Sequence, residues 1–172
     1  MLFKHAALIG LGLVLGVGIG VGIPKASAQD GAQKSQSVRD FPDLIGGLKA
    51  TPGCLDAREG LLNQGKQFAI FAWFKNKAAV NAWYNGKMHR DAMKKYFPNY
   101  PPRPLALEGF KDAKAPLLVA ATITPGDKEG VQGTHLAITQ IAIEIYTPVS
   151  GGLQFGGGFG PKSLVVPGMI RG

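Results

Sequence analysis

Between Gln67 and Phe74 the chain reads QFAIFAWF, apolar on both sides of an extended backbone: Phe68, Ile70, Ala72 and Phe74 fall on one face, Ala69, Phe71 and Trp73 on the other. A half-buried antiparallel strand would show polar residues to water, so this pattern predicts a strand covered on both faces. Asn76 then offers an N-cap, and Ala79, Val80, Trp83 and Tyr84 follow at helical spacing. Asn85-Gly86 predicts a break. A second helical segment from Lys87 carries Met88, Ala92, Met93 and Tyr96 as its apolar stripe before Pro98 ends it. His89 stands beside that stripe, four residues ahead of Met93.

The same patterning places the remaining elements. Thr51-Pro52-Gly53 and Asn63-Gln64-Gly65 bracket a strand from Cys54 to about Leu61, which forms a hairpin with the strand already described. Ahead of it, Asp40-Phe41-Pro42-Asp43 reads as a helix start with Asp40 as cap. Leu44, Ile45 and Leu48 give that helix an apolar side, which Gly46-Gly47 weakens by about 1 kcal/mol per glycine relative to alanine. Two further strands are predicted over Leu117–Thr124 and His135–Tyr146. On the second of these, Gln140 and Glu144 interrupt an apolar face, either as edge residues meeting water or as polar anchors in a cavity. Residues 97–116, with Pro98, Pro101, Pro102 and Pro104, predict a stiff extended loop long enough to be a functional flap or a tethered excursion. From Thr147 the glycine density predicts a low-complexity tail unable to cover a core, with Leu164-Val165-Val166 left to dock on a sheet edge.

The N-terminus changes the picture of compartment. Lys4 and His5 precede eighteen uncharged residues, Ala6–Ile23, and Ala26-Ser27-Ala28 supplies a cleavage triplet. Residues 1–28 therefore read as a signal peptide, 29–39 as a flexible leader, 40–147 as one domain and 148–172 as the tail. The expected location is secreted or periplasmic; uncleaved, residues 6–23 would anchor the protein in a membrane. Cys54 is the sole cysteine, so no intrachain disulfide forms, and with no histidine near it in sequence it reads as a small packing residue.

Cleavage would remove Lys4 and Lys25 and lower the net charge from +8 to +6. The excess is local: Lys75, Lys77, Lys87, Arg90, Lys94, Lys95 and Arg103 are opposed by Asp91 alone. Such a face is either solvated surface or an attractor of an anionic small molecule or an acidic envelope surface; nucleic acid is not an expected partner of an exported chain without a recognition motif. The sequence contains no P-loop, GxSxG, CxxC, HExxH or paired-histidine spacing, so neither a metal site from local ligands nor a cofactor is expected.

The order helix, hairpin, helix, strand, strand resembles the ferredoxin-like dimeric α/β-barrel superfamily, and most nearly its antibiotic biosynthesis monooxygenase-like family. The resemblance spans about residues 41–97 and is carried by Pro52-Gly53-Cys54, by Ala72-Trp73 ending a strand, by Lys77-Ala78-Ala79-Val80 and Trp83-Tyr84 on the helix, and by His89 opening its second half. It implies an α+β fold: a ferredoxin-like antiparallel sheet with helices on one face, the other face lining a pocket and closing into a barrel with a second subunit of a homodimer. It also implies an oxidoreductase working without metal or flavin on an acidic or aromatic organic substrate. His89 would be its catalytic residue, with Trp73, Trp83, Tyr84 and Arg90 binding substrate. The alternative is a non-catalytic cell-envelope module binding through the basic helix and proline-rich loop. Two departures stand out. Residues 29–39 lack the family's opening strand, which leaves one of the C-terminal strands to take its place, and Met93 stands where the haem-degrading branch has a histidine, so haem degradation is not implied.

Overall fold

The computed structural model describes residues 43–100, 107–127 and 130–172. The expected signal peptide, the leader, Asp40 and the Pro101–Pro104 part of the loop lie outside them. Among the described residues no helix is long and apolar enough to cross a membrane.

The first helix, α1, spans Leu44–Ala50, and its cap is Asp43, not the expected Asp40: the Asp43 carboxylate accepts the Gly46 N–H at 3.1 Å. The chain then turns at Gly53, whose φ of +86° lies in the left-handed region, into β1 (Cys54–Leu62). Asn63, Gln64 and Gly65, all at positive φ, carry it into β2 (Gln67–Phe74), antiparallel to β1. Asn76 caps α2 (Lys77–Tyr84) by accepting the Ala79 N–H at 3.0 Å. The expected break follows, and α3 runs from Lys87 to Tyr96.

Gly86 breaks the helix without a left-handed turn. Its backbone is extended, at φ −66° and ψ 152°, and a side chain there would bring a Cβ within 3.0 Å of the Ala82 and Trp83 carbonyl oxygens. Gly47 serves the helix layer in a similar way: a Cβ on it would overlap the Met88 sulfur, so the missing side chain is what lets α1 meet α3.

The last two long strands are β3 (Leu117–Pro125) and β4 (Ile138–Tyr146). β4 starts three residues later than His135. The register moves from Thr124 opposite Gln140 to Pro125 opposite Ile138, so Thr139 is an extra residue that reverses the alternation. Leu136 and Ile138, which unbroken alternation would put on the same face as Gln140, consequently enter the core, at 7% and 1% exposure.

The sheet order is β1-β2-β3-β4, antiparallel throughout. On one face Phe68, Ile70, Ala72 and Phe74 pack with Leu48, Ala79 and Val80 from the helices and with Leu117, Ile123 and Ile138. The described residues therefore form an α+β fold with a four-stranded antiparallel sheet and three helices, consistent with a ferredoxin-like arrangement in which β3 fills the place beside β2. Leu107 and Phe110 pin the end of the proline-rich segment to this core, and the Lys77 ammonium donates to the Phe110 carbonyl at 3.2 Å.

On the other face, the tail covers Phe71 and Trp73. The Phe159 ring lies edge-on to Phe71 and Trp73, with centroids 5.0 and 4.7 Å away, and Trp73 is only 3% exposed. The expectation that so glycine-rich a segment could not cover a core fails because its glycines allow close approach. A Cβ on Gly160 would meet Leu164 at 2.7 Å and lie 3.7 Å from the Trp73 indole nitrogen. The tail closes on itself through a short parallel pair, β5 (Leu153–Gln154) with β6 (Ile170–Arg171). Over Phe71 and Trp73, the cover expected from a second subunit is supplied by the chain's own tail.

Candidate functional site

Between the helices and the sheet lies a cavity of about 500 Å³. Its floor is built from alternate residues of three strands: Ile70 and Ala72, then Val119, Ala121 and Ile123, then Ile141, Ile143 and Ile145. Its roof is helical, with Leu44 and Leu48 from α1, Val80, Trp83 and Tyr84 from α2, and His89, Ala92, Met93 and Tyr96 from α3; Phe97 and Tyr100 follow from the next turn. Along β4 the wall gives way to solvent, since Ile143 is 63% exposed. Among the described residues, no lysine, arginine, aspartate or glutamate lines the space.

The break at Asn85-Gly86 sets the polar end. A carbonyl in the last turn of a helix loses its i+4 partner, and here the Tyr84 carbonyl meets His89 Nδ1 at 2.9 Å. Because a carbonyl only accepts, Nδ1 carries the hydrogen and Nε2 is the basic nitrogen of the neutral ring. The imidazole packs against Tyr84, 4.9 Å between centroids, and edge-on to Trp83 at 5.5 Å. Burial pushes the His89 pKa below its ordinary value of 6.5, and the bond to Tyr84 opposes this only in part. Lys87 and Arg90 flank His89 in sequence, and repulsion by two cations would also favour a neutral ring. Burial is the cause instead, for Lys87 pairs with Asp91 and Arg90 is exposed.

Of the residues expected at the site, Trp83, Tyr84 and His89 come together in one wall. Trp73 does not join them. It belongs to the opposite face of the sheet, where it meets Phe159 and, at 5.4 Å, the Arg58 guanidinium. Arg90 is exposed and absent from the cavity wall. The family resemblance placed the pocket on the face away from the helices, whereas this cavity lies under them. Sequence reasoning missed Tyr100 and the β4 isoleucines as lining residues, although the alternation of Ile141, Ile143 and Ile145 was visible.

Other candidate chemistry is sparse. Among the described residues, no group of three or more His, Cys, Asp or Glu side chains could hold a metal ion. Burial raises the Cys54 pKa, and its thiol lies 3.5 Å from the Asp56 carbonyl, so it is a poor nucleophile. The site can thus enclose a largely apolar molecule and present it with one neutral imidazole. No family model, curated protein or solved structure matches this chain.

Proposed function

We propose that this is an exported protein that binds a largely apolar, aromatic small molecule in the cavity between helices and sheet, with His89 Nε2 accepting a hydrogen from an acidic O–H or C–H group of the ligand. The observation that supports this reading is a cavity of about 500 Å³, within the size range of small-molecule sites, whose apolar wall carries a single neutral imidazole held in one tautomer by Tyr84. Among the described residues of the wall an ionised ligand would find no counter-charge, which is costly, so the ligand enters neutral and any acidity is expressed toward His89. In the enzymatic form of this reading, His89 removes the proton outright and leaves an electron-rich anion open to attack on dioxygen, as the resemblance to cofactor-independent monooxygenases suggests. In the binding form, the hydrogen bond alone orients the ligand.

Titration with 2-naphthol and with naphthalene, which differ by one hydroxyl, tests the binding step. Wild-type protein should prefer 2-naphthol, and His89→Ala should weaken 2-naphthol by about 2- to 10-fold, the worth of one neutral hydrogen bond, while leaving naphthalene unchanged. Equal loss of both ligands would remove His89 from the role, and failure of either to bind wild-type protein would refute the cavity as a ligand site.

A further inference from the structure

The geometry points to a second interaction surface: we infer that two copies of the chain pair through the free edge of β4, in an antiparallel ladder centred on Ile143, and that each copy thereby extends the cavity wall of the other. β4 ends the sheet, and among the described residues no strand pairs with its outer side. One end of that edge is already occupied. The Ile138 carbonyl accepts the N–H groups of Gly130 and Val131 at 3.1 and 3.2 Å, and a Cβ on Gly130 would stand 3.2 Å from the Thr139 Cα. Among the described residues, what stays open is Gln140–Tyr146, whose midpoint is Ile143.

A two-fold axis at that midpoint places Ile141 opposite the second copy's Ile145, Ile143 opposite Ile143, Ala142 opposite Glu144, and Gln140 opposite Tyr146. Directly opposed residues share a face, so the isoleucines of both copies align on the helix side, and the polar set aligns on the other. Each carboxylate then faces an alanine. Neighbouring registers are worse: centring on Glu144 sets the two carboxylates against each other, and centring on Ala142 drives the partner into Gly130.

Edge strands that stay single are usually short, or carry lysine, proline or a bulge along the open stretch. Gln140–Tyr146 has no lysine or proline, its bulge lies at the closed end, and its one charge, Glu144, accepts a hydrogen bond from the Tyr146 hydroxyl at 2.7 Å. Instead it exposes Ile143 at 63% and Tyr146 at 50%. Ile141, Ile143 and Ile145 also line the cavity, and at Ile143 that wall is open to solvent. The second copy's isoleucines, continuing the same face across the axis, complete that wall, while Phe159 of the tail packs on Phe71 and Trp73 on the other side of the sheet.

Sedimentation velocity of the purified protein at about 10 µM reads the assembly without any ligand, so it is independent of the proposed binding chemistry. A dimer is expected, and Ile143→Lys, which sets two cations face to face at a solvent-exposed position, should convert it to a monomer with an unchanged circular dichroism spectrum. Ile143→Cys in a Cys54→Ala background should oxidise to a covalent dimer, because opposed residues in antiparallel strands have Cα atoms about 4.5–5.5 Å apart, within disulfide reach. A monomeric wild type would overturn the inference. So would a dimer that survives Ile143→Lys, or an Ile143→Cys protein that fails to cross-link while still sedimenting as a dimer.

Discussion

His89 owes its chemistry to one carbonyl and to burial, and both can be tested on the single residue. Its folded pKa lies below the ordinary 6.5, so the unfolded chain takes up a proton first as pH falls. The contribution of this group to stability is complete above about pH 6.5 and is lost as pH drops toward the folded pKa. Melting temperature should therefore decline more steeply below pH 6.5 in wild type than in His89→Ala, and parallel curves would show that the ring is not buried in neutral form. If the site is catalytic, the same substitution should lower turnover by about 10²- to 10⁴-fold, measured at pH 7.5 where the neutral base dominates. The position of His89 was legible because Asn85-Gly86 announces the break that turns the ring inward. The misplacement of Trp73 was avoidable: it follows Ala72, and a strand of period two cannot present both to one cavity. Arg90 fails for the analogous helical reason, since one residue along a helix from His89 is about 100° around the axis.

At the scale of elements, the hairpin and the two helices flanking the break follow from local signals, and their ends lie within about a residue of expectation. Asn76 is the clearest of these signals, its side chain holding the Ala79 N–H at 3.0 Å. Asn76→Ala should cost about 1 kcal/mol, read as a lower urea midpoint with an unchanged slope. Gly86→Ala acts on the break itself. An added Cβ 3.0 Å from two carbonyl oxygens must push α3 away from α2, so this variant should lose 2-naphthol affinity along with thermal stability. Retained affinity would show that His89 does not depend on the tight break. The elements misread were those set by partners distant in sequence. The Thr139 bulge is decided by register against Pro125, and no local pattern in HLAITQ marks where β4 begins. The α1 cap moved because Asp40 and Asp43 are both competent cap residues, and only the bond to Gly46 distinguishes them.

For the whole molecule, the sheet has two apolar faces and the chain covers them by different means. Helices and cavity take one. The other depends on a tail whose composition looked unable to pack, because the cover relies on one phenylalanine and on backbone brought close by glycine, neither of which hydrophobic periodicity registers. Ending the chain after Thr147 would expose Trp73 and Phe71 together. Uncovering a large side chain costs about 1.5–3 kcal/mol, so the two represent a sizeable share of the 5–15 kcal/mol that holds a typical domain folded. Because Phe159 is itself 55% exposed, Phe159→Ala should be the milder change, losing chiefly the edge-to-face contacts, about 0.5–1.5 kcal/mol for each pair. Both variants should shift tryptophan emission to the red in proportion to their loss of urea midpoint, since Trp73 is the indole that meets water while Trp83 keeps its place against His89. A truncated chain with native emission and midpoint would mean that the tail rests on the sheet without stabilising it, and Phe71 and Trp73 would then need a different cover.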